Sequence, residues 1–395
     1  MLVKITEKIL IFIKLLIGYL LLNIFYRKLY KENIWLICEK RDEARDNGYH
    51  FFKYLKENHT DINAYYVITK DSTDYDKVKK YGDIIYANTF KHCIYYLAAK
   101  YSISSQAYGA FPYNLNLKEL RVIKRLRNKN QKTIFLQHGI IKDKMSNQAF
   151  DADGCDTDLF VCSAQREVDF IREQHGYTKK SAQCLGLCRF DKLYNNKNIK
   201  TNTILLMPTW RMWLSRLDDK VFLDSDYYNA YFNLLNDARL KSILKEFNYK
   251  LIFYPHYEIQ KRIDKFKDIQ TENIIIADKN NYDVQDLLIN TDIMITDYSS
   301  VFFDFAYMEK PLIYYQFDEE KFYGSHYDKG YFDYRRDGFG PVVCNSNDLL
   351  DELENIIKEK DFDLYYRRSK EFFTLRDNQN CNRTFNAIRQ LDEMR

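Results

Sequence analysis

Short apolar runs alternate with longer amphipathic stretches along most of the chain, a pattern typical of strands alternating with helices. In the first half, these runs predict strands at Ile34–Cys38, Ala64–Thr69, Ile84–Tyr86, Tyr101–Ser104 and Thr133–Leu136. In the second half, they predict strands at Thr203–Met207, Lys250–Tyr254, Asn273–Ala277, Asp292–Thr296 and Pro311–Tyr315. Helical periodicity predicts helices at Asn47–Asn58, Tyr227–Phe247, Ser300–Met308, Leu349–Lys360 and Asp363–Glu371. This alternation predicts the α/β class, with parallel sheets covered by helices on both faces.

The stretch 194–203, YNNKNIKTNT, has no apolar periodicity and is typical of a linker. A chain of 395 residues also exceeds what one ordinary hydrophobic core accommodates. We therefore predict two doubly wound, Rossmann-like lobes, one at 32–195 and one at 203–395. In such folds ligands bind at the carboxyl ends of the strands, so functional residues are expected there.

The N-terminal region is strongly apolar, but Lys14 interrupts the run Ile9–Phe25. The uncharged part, Leu15–Tyr26, is shorter than the roughly 20 residues that a membrane-spanning helix needs. On a helical wheel, one sector about 120° wide holds the charged residues Lys4, Glu7, Lys8 and Lys14. We therefore predict an amphipathic, membrane-associating helix over 1–31; a true span and a helix packed on the protein remain open alternatives.

Composition and motif content exclude several classes of function but do not identify one. The net charge of +4, from 60 basic and 56 acidic side chains, is too balanced to indicate a nucleic-acid partner. The eight cysteines lack the spacing of a zinc ribbon or a redox dithiol, so we expect reduced thiols, a cytoplasmic location and no structural metal. The closest approach to an acidic metal clamp is Asp151-Ala152-Asp153, which falls in a predicted loop. The GxGxxG, Walker A, HExxH and GxSxG patterns do not occur.

The strongest local pattern is Thr291–Pro311, in which a buried strand ends in a polar turn and an apolar helix follows at once. The turn contains Asp297, Ser299 and Ser300, and a serine there is a natural helix cap. Backbone N–H groups and hydroxyls at such a turn favour a phosphate or diphosphate. An ordinary capped helix would produce the same pattern, so both interpretations stay open.

Three further strand ends carry candidate chemistry. His138 and His256 each follow a predicted strand, in FLQHG and FYPH, where an imidazole would face a ligand and titrate near neutrality. Thr209 and Arg211 follow another strand, in LLMPTWR, and a guanidinium there would offer a cation to phosphate oxygens. The structural alternatives are a loop-capping histidine and a surface ion pair. The charged turn at 39–48 is by itself best interpreted as a solvated face.

Six segments together resemble the CDP-glycerol:poly(glycerophosphate) glycerophosphotransferase family, the teichoic-acid primases and polymerases. The resemblance covers about 34–345 and its segments occur in the order of the family. They are EKRDEARDNGYHFFKYL from Glu39, LQHGIIKDK from Leu136, MPTWR from Met207, YPHYE from Tyr254, ITDYSSVFFDFAYMEKPLIYYQFD from Ile295 and GYFDYRRDGFGPVV from Gly330.

The resemblance implies a glycosyltransferase-B-like fold whose second lobe holds the CDP-linked donor. It implies that His138 is the base for the acceptor hydroxyl and that His256 lies at the donor diphosphate. Residues matching donor-binding motifs are Thr209, Arg211, Asp297, Ser299 and Ser300.

A second group of matching residues is expected to support the cleft. The family's Asp-Asn-Gly element corresponds to Asp46, Asn47 and Gly48, which favours a structural role over a solvated face. A GxPRxD-like stretch keeps Arg189 and Asp191 but has Cys188 in place of proline, which puts the rigidity of that loop in doubt.

The implied reaction transfers glycerol phosphate or ribitol phosphate from a CDP-alditol to an undecaprenyl-linked acceptor and releases CMP. It implies no required cofactor and a peripheral location at the cytoplasmic face of the membrane, in the synthesis of teichoic acid or a related surface polymer. The main alternative is a glycosyltransferase of the same fold that uses a nucleotide sugar. A non-catalytic membrane scaffold is a further alternative.

Overall fold

The computed structural model describes residues 2–107, 109–113, 123–144, 151–155, 157–214, 218–325, 328–358 and 362–393. The chain forms two compact units. The first comprises residues 1–138, 147–191 and 377–395, and the second comprises 139–146 and 192–376.

Thirteen described strands form two sheets, one in each unit. The first sheet contains β1 Trp35–Cys38, β2 Ala64–Ile68, β3 Ile84–Tyr86, β4 Tyr101–Ser104, β5 Lys132–Phe135, β6 Leu159–Cys162 and β7 Ala182–Cys184. The second contains β8 Thr203–Leu206, β9 Lys250–Phe253, β10 Ile274–Ile276, β11 Ile293–Thr296, β12 Leu312–Tyr315 and β13 Val342–Val343.

The helices of the first unit are α1 Leu2–Ile24, α2 Asn47–Asn58, α3 Tyr75–Lys79, α4 Phe90–Ala98, α5 Ala152–Cys155 and α6 Gln165–His175. Helix α7, Phe190–Asn196, begins at the end of that unit. The second unit continues with α8 Asp219–Leu223, α9 Asp226–Asn236, α10 Ala238–Glu246, α11 Tyr257–Gln260, α12 Val284–Ile289, α13 Val301–Tyr307, α14 Glu319–Ser325, α15 Tyr334–Asp337, α16 Ser346–Ile357 and α17 Asp363–Phe372. Helix α18, Asn380–Glu393, follows.

Both sheets are parallel and share one topology. The first has the order β3-β2-β1-β4-β5-β6-β7 and the second has β10-β9-β8-β11-β12-β13. Each order is that of a doubly wound Rossmann sheet, and the strand order reverses between β1 and β4 and between β8 and β11. The predicted α/β class with two Rossmann-like lobes is confirmed. Strands β6, β7 and β13 had not been predicted.

The predicted long helix 227–247 is two helices, α9 and α10, separated at Asp237. The Asp237 carboxylate accepts hydrogen bonds from the backbone N–H groups of Arg239 and Leu240, at 2.7 and 3.2 Å. This is the geometry of an N-cap, so the aspartate begins a new helix where apolar periodicity alone predicts continuity.

The division of the chain differs from the predicted division at its end, because residues 377–395 belong to the first unit. The Asp191 carboxylate accepts hydrogen bonds from the backbone N–H groups of Asn380 and Cys381, at 2.8 and 3.0 Å. Phe385 of α18 stacks on Trp35 of β1, with ring centroids 5.7 Å apart. These contacts hold α18 on the first sheet, so the predicted lobe 203–395 is too long at its end.

The predicted N-terminal helix is present as α1, and it packs along α4 of the first unit. Leu15 and Leu22 are fully buried in a core cluster with α4. A methyl group at Gly18 would lie 3.2 Å from Cys93 Cβ, which shows how closely the two helices approach. The Lys14 ammonium lies 5.5 Å from the Tyr113 ring centroid.

The opposite face of α1 is exposed and apolar; its residues are Ile9, Leu10, Ile13, Leu16, Ile17, Leu20 and Ile24. At about 100° per residue they occupy a sector about 120° wide. The described charged side chains of α1, Lys8 and Lys14, lie outside this sector. Among the helices that the structure describes, none combines the length and apolarity required to cross a bilayer.

Candidate functional site

The polar residues that follow β8, β9 and β11 meet at the carboxyl edge of the second sheet. The His256 N–H donates to the Pro208 carbonyl at 3.2 Å. The Trp210 ring stacks on the His256 imidazole, with centroids 5.9 Å apart and an interplanar angle of 19°. The Thr209 N–H donates to Asp297 Oδ1 at 2.8 Å. The structure therefore brings together Thr209, His256 and Asp297, which the sequence had placed at separate strand ends.

Arg211 lies beneath this edge in a buried ion-pair cluster. Its guanidinium donates to both carboxylate oxygens of Asp318, at 2.7 and 2.9 Å, and to the Thr209 carbonyl at 2.7 Å. It also pairs with Asp297 Oδ2 at 2.9 Å, and the side chains of Arg211 and Asp297 are both 0% exposed. Burial alone would lower the pKa of Arg211, but Asp297 and Asp318 raise it well above its ordinary value.

This geometry corrects the predicted roles of Arg211 and Asp297. The donors of Arg211 are directed at two carboxylates and a carbonyl inside the unit, and not at a ligand. The Asp297 carboxylate also accepts from the N–H of Tyr298 at 2.6 Å and from the hydroxyl of Tyr231 at 3.2 Å. We therefore assign both residues to the support of the strand ends, because their charges satisfy each other away from solvent.

Thr209 is the residue of this group that keeps an unused polar atom. Its side chain is buried, and Thr209 Oγ1 has no hydrogen-bond partner among the described residues. A buried hydroxyl without a partner costs about 1–3 kcal/mol. A ligand oxygen at this edge would satisfy it, so the predicted donor-binding role of Thr209 fits the geometry.

Ser299 and Ser300 form the turn between β11 and α13. Ser299 Oγ accepts from the Val301 N–H at 3.4 Å, whereas Ser300 makes no side-chain cap hydrogen bond. A methyl group at Gly139 would lie 2.8 Å from Ser300 Oγ. Gly139 belongs to the second unit and directly follows His138 in the chain. A side chain at 139 would therefore require the Ser300 hydroxyl to move, so this loop approaches the serine turn closely.

The His256 side chain caps the short helix α11. Its Nδ1 accepts from the Glu258 N–H at 3.3 Å. In the neutral imidazole, an accepting Nδ1 places the proton on Nε2, which makes Nε2 the donor atom of the ring. His256 is half-buried and follows β9 at the edge that also carries Thr209.

In the first unit, His138 follows β5 on a backbone of unusual geometry. Gln137 has a φ of 60°, in the left-handed region that few non-glycine residues adopt. Its amide donates to the Val161 carbonyl at 2.6 Å and to Glu167 at 3.1 Å. These bonds hold the turn, and the His138 side chain that follows is exposed.

Asp46, Asn47 and Arg189 fix the same turn from the other side. The Asn47 amide donates to the Gln137 carbonyl at 2.7 Å, and its Oδ1 accepts from the Arg189 N–H at 3.0 Å. The Arg189 guanidinium donates to Asp46 Oδ1 at 2.7 Å and to the His138 carbonyl at 3.0 Å. These hydrogen bonds form a network that holds the backbone at Gln137 and His138.

Gly48 and Glu39 complete the support of this turn, and sequence reasoning had not singled out Glu39. The Glu39 carboxylate accepts from the N–H groups of Arg45, Asp46 and Tyr49, at 2.8, 2.9 and 2.6 Å. Burial, followed by the charge of Asp46, raises the pKa of Glu39 to about 8 against these donors. A methyl group at Gly48 would lie 2.8 Å from Glu39 Cγ, so the buried carboxylate needs glycine there.

Asp191 does not join this network, although the sequence predicted it as a support of the cleft. Its two carboxylate oxygens accept hydrogen bonds from the start of α18, as described above. Arg189 and Asp191 share one motif, but Arg189 faces His138 and Asp191 faces the helix that returns to the first unit. The predicted role of Asp191 is therefore corrected to the attachment of α18.

The environment of His138 lowers the pKa of its imidazole to about 4. Desolvation by the protein atoms packed around the ring is the largest cause, although part of the side chain stays accessible to solvent; the positive charges of Arg189 and Lys40 follow. The ring is accordingly neutral near pH 7, which is the state that accepts a proton.

The described residues do not support a metal site at Asp151-Ala152-Asp153. Asp151 Oδ1 pairs with His175 Nδ1 at 2.9 Å, and the side chain of Asp153 lies outside the described residues. Within the described part of the chain, no three acidic, histidine or cysteine side chains are grouped as metal ligands.

The sequence and the fold of the chain are both similar to those of known proteins. The chain matches the model of the family described as CDP-glycerol:poly(glycerophosphate) glycerophosphotransferase over residues 20–390. The minor teichoic acid biosynthesis protein GgaB of Bacillus subtilis (strain 168) is 36% identical over 387 residues, which cover 94% of this chain and 41% of GgaB. The chain therefore spans less than half the length of this relative.

Two solved structures show the same fold. A histidine variant of the wall teichoic acid polymerase TagF, soaked with CDPG, has a TM-score of 0.66 and 20% identity, over 96% of this chain and 98% of that chain. The UDP-GlcNAc 2-epimerase of Neisseria meningitidis, bound to UDP-GlcNAc, has a TM-score of 0.53 and 8% identity, over 90% and 99% of the two chains.

Proposed function

Because the chain belongs to the CDP-glycerol:poly(glycerophosphate) glycerophosphotransferase family, we propose that it transfers glycerol phosphate or ribitol phosphate from a CDP-alditol to a lipid-linked acceptor. The product is a teichoic acid or a related surface polymer. The observation that supports this most is the neutral, exposed His138, held by Asp46, Asn47 and Arg189 on a strained turn. Such a ring suits a base that must accept a proton from an alcohol.

In the proposed reaction, a hydroxyl oxygen of the acceptor attacks the phosphorus that carries the alditol. The bond from this phosphorus to the CMP oxygen breaks, CMP leaves, and the hydroxyl proton passes to His138. Phosphoryl transfer depends mainly on positioning and on the stabilisation of charge, because the protein has little covalent chemistry to perform. The network around His138 supplies the positioning on the acceptor side.

The donor diphosphate is assigned to the edge of the second sheet. Thr209, Ser299 and Ser300 offer hydroxyls there, and His256 offers the Nε2 donor. Hydrogen bonds from these groups would stabilise charge that develops on the leaving CMP. Arg211 supports this edge from beneath through Asp297 and does not contact the phosphates itself.

We expect the transfer to need no metal or other cofactor. The imidazole and hydroxyl donors of the edge suit phosphate oxygens directly. Purified protein should therefore keep its turnover in excess EDTA. A loss of activity in EDTA that added Mg²⁺ restores would contradict this part of the proposal.

Release of CMP is the decisive measurement for the function. Purified protein is incubated with CDP-glycerol or CDP-ribitol and an undecaprenyl-linked saccharide acceptor, and CMP is quantified together with the extended acceptor. Release of CMP with one alditol identifies the donor. Release of a nucleoside diphosphate from a nucleotide sugar would instead indicate the alternative, a glycosyltransferase. Failure to bind any of these donors would indicate the non-catalytic scaffold.

We also propose that the protein acts at the cytoplasmic membrane surface, with the exposed face of α1 in the bilayer interface. From Ile9 to Ile24 this face is apolar, and Arg27, Lys28 and Lys31 follow it as exposed basic residues. Apolar burial combined with attraction to anionic headgroups is the usual basis of interfacial helix binding.

The membrane proposal is best tested on the exposed face, because deletion of α1 would remove Leu15 and Leu22 and uncover the α4 surface on which they pack. The double change Ile13→Asp and Leu20→Asp should abolish co-sedimentation with phosphatidylglycerol vesicles. Leu364→Asp, at an exposed leucine of α17, is the matched control and should bind vesicles like the wild type. Undiminished co-sedimentation of the double variant would refute the assignment.

A further inference from the structure

Gln285 is a buried glutamine whose side-chain amide is unused. It is the second residue of α12 and is 5% exposed. Neither Nε2 nor Oε1 of Gln285 has a hydrogen-bond partner among the described residues. Burial of a polar atom without a hydrogen-bond partner is destabilising. An unpartnered buried group in a native protein calls for an explanation, and a contact to a ligand is one.

Two other buried glutamines of the second unit show what a structural amide does there. Gln260 donates to the carbonyls of Pro255 and Ala277, at 3.0 and 3.2 Å, and accepts from the Lys279 N–H at 3.2 Å. Gln316 donates to the Asp297 carbonyl at 3.0 Å. Gln285 differs from both because its amide holds no part of the described chain together.

The hydrogen bonds of Gln260 also show where Gln285 lies relative to the carboxyl edge of the second sheet. They tie the loop that follows β10 to Pro255, the residue before His256. Helix α12 begins shortly after that loop, and its Gln285 N–H donates to Asp283 Oδ1 at 2.9 Å. Gln285 is therefore near the start of the helix that follows β10, on the strand-end side of the sheet that carries Thr209.

We propose that Gln285 binds the nucleobase of the donor, a cytosine, through its N3 and N4 edge. This inference rests on the proposed function, which supplies the cytidine nucleotide. A primary amide presents one donor and one acceptor side by side, and cytosine presents the complementary pair. Oε1 accepts from the N4 amino group while Nε2 donates to N3. A glutamine side chain has three rotatable bonds, so the amide can turn toward a base at this edge without a backbone change.

The test measures binding rather than transfer, by calorimetry with CMP and with ribose 5-phosphate, which lacks the base. Gln285→Met should weaken CMP binding about 10-fold or more, the scale of a lost bidentate base contact. Ribose 5-phosphate should bind the variant and the wild type equally. Gln270→Met, at an exposed glutamine of the same unit, is the control and should leave both affinities unchanged.

A second measurement uses the wild-type protein, so that it does not depend on the folding of a variant. A CMP analogue with a dimethylated N4 has lost both amino hydrogens and should bind at least about 10-fold more weakly than CMP. Equal binding of the analogue, or an equal loss of CMP and ribose 5-phosphate in Gln285→Met, would overturn the assignment. Wild-type protein that binds no CMP at all would instead refute the proposed function.

Discussion

The two units use charged residues at their strand ends in opposite ways. In the first unit, Asp46 and Arg189 bind each other and the backbone, and the result is an exposed His138. In the second unit, Arg211 and Asp297 are completely buried and leave hydroxyls at the edge. The difference shows that a cation beside a predicted phosphate turn can be buried beneath it. It then fixes the loops that carry the proposed donor-binding groups.

The largest expected effect breaks the buried cluster. Asp297→Asn leaves Arg211 with one counterion fewer in a site without solvent, and should cost roughly 3–5 kcal/mol of unfolding free energy. Asp351→Asn is the control, because its pair with Arg239 is exposed and should contribute less than about 1 kcal/mol. Urea denaturation measures both. Equal losses in the two variants would show that the buried cluster is not special.

The second expected effect is on the turnover rate and not on the free energy of unfolding. His138→Ala removes an exposed ring, so the unfolding free energy should change little. Turnover should fall at least about 100-fold, the usual contribution of a general base, while CDP-alditol still binds. Steady-state CMP release and calorimetric donor binding separate the two quantities. Near-wild-type turnover would remove His138 from the mechanism.

Asn47→Ala should produce a smaller and mixed effect. The change leaves the Gln137 carbonyl and the Arg189 N–H without their partner, at a cost of about 1–3 kcal/mol in stability. Because the turn would then hold His138 less firmly, kcat should fall while KM for the CDP-alditol stays constant. A rise in KM with kcat unchanged would place Asn47 in donor binding instead.

The smallest effect concerns pH. The pKa of His138 is lowered to about 4 from an ordinary value near 6.5, so the ring stays neutral well below neutrality. The acid limb of kcat/KM should therefore lie near pH 4. Stability gains nothing from this group above pH 6.5 and is lost as pH falls from 6.5 toward 4, where only the unfolded state takes up the proton. An acid limb near pH 6.5 would contradict the assigned environment.

Local patterns were sufficient to predict most of the fold. The alternation of apolar runs and helices predicted ten strands correctly in place, because buried parallel strands are apolar on both faces. Strand β7, AQC, is not an apolar run, so the pattern did not predict it. It is a strand because it pairs with β6. Helix α18 was missed because its partner surface lies on the first sheet, far away along the chain.

In the candidate site, too, some features could be predicted from local sequence and others could not. Residue type and position at strand ends were sufficient to single out His138, His256, Thr209 and the serine turn. The burial of Arg211 was not predictable, because its bidentate partner Asp318 is 107 positions away and only the folded sheet brings them together. Local sequence therefore indicates which residue types lie at a strand end. The groups that a charged side chain contacts depend on residues distant in the sequence.

Neither unit corresponds to one uninterrupted stretch of the gene. Residues 139–146, which interrupt the first unit in the sequence, belong to the second unit. Residues 377–395, which follow the second unit in the sequence, belong to the first. During synthesis the ribosome must therefore deliver the entire second unit before α18 can cover Trp35 and meet Asp191. The nascent first unit spends that interval with an apolar surface uncovered, a period in which chaperone binding or misassembly would compete with folding.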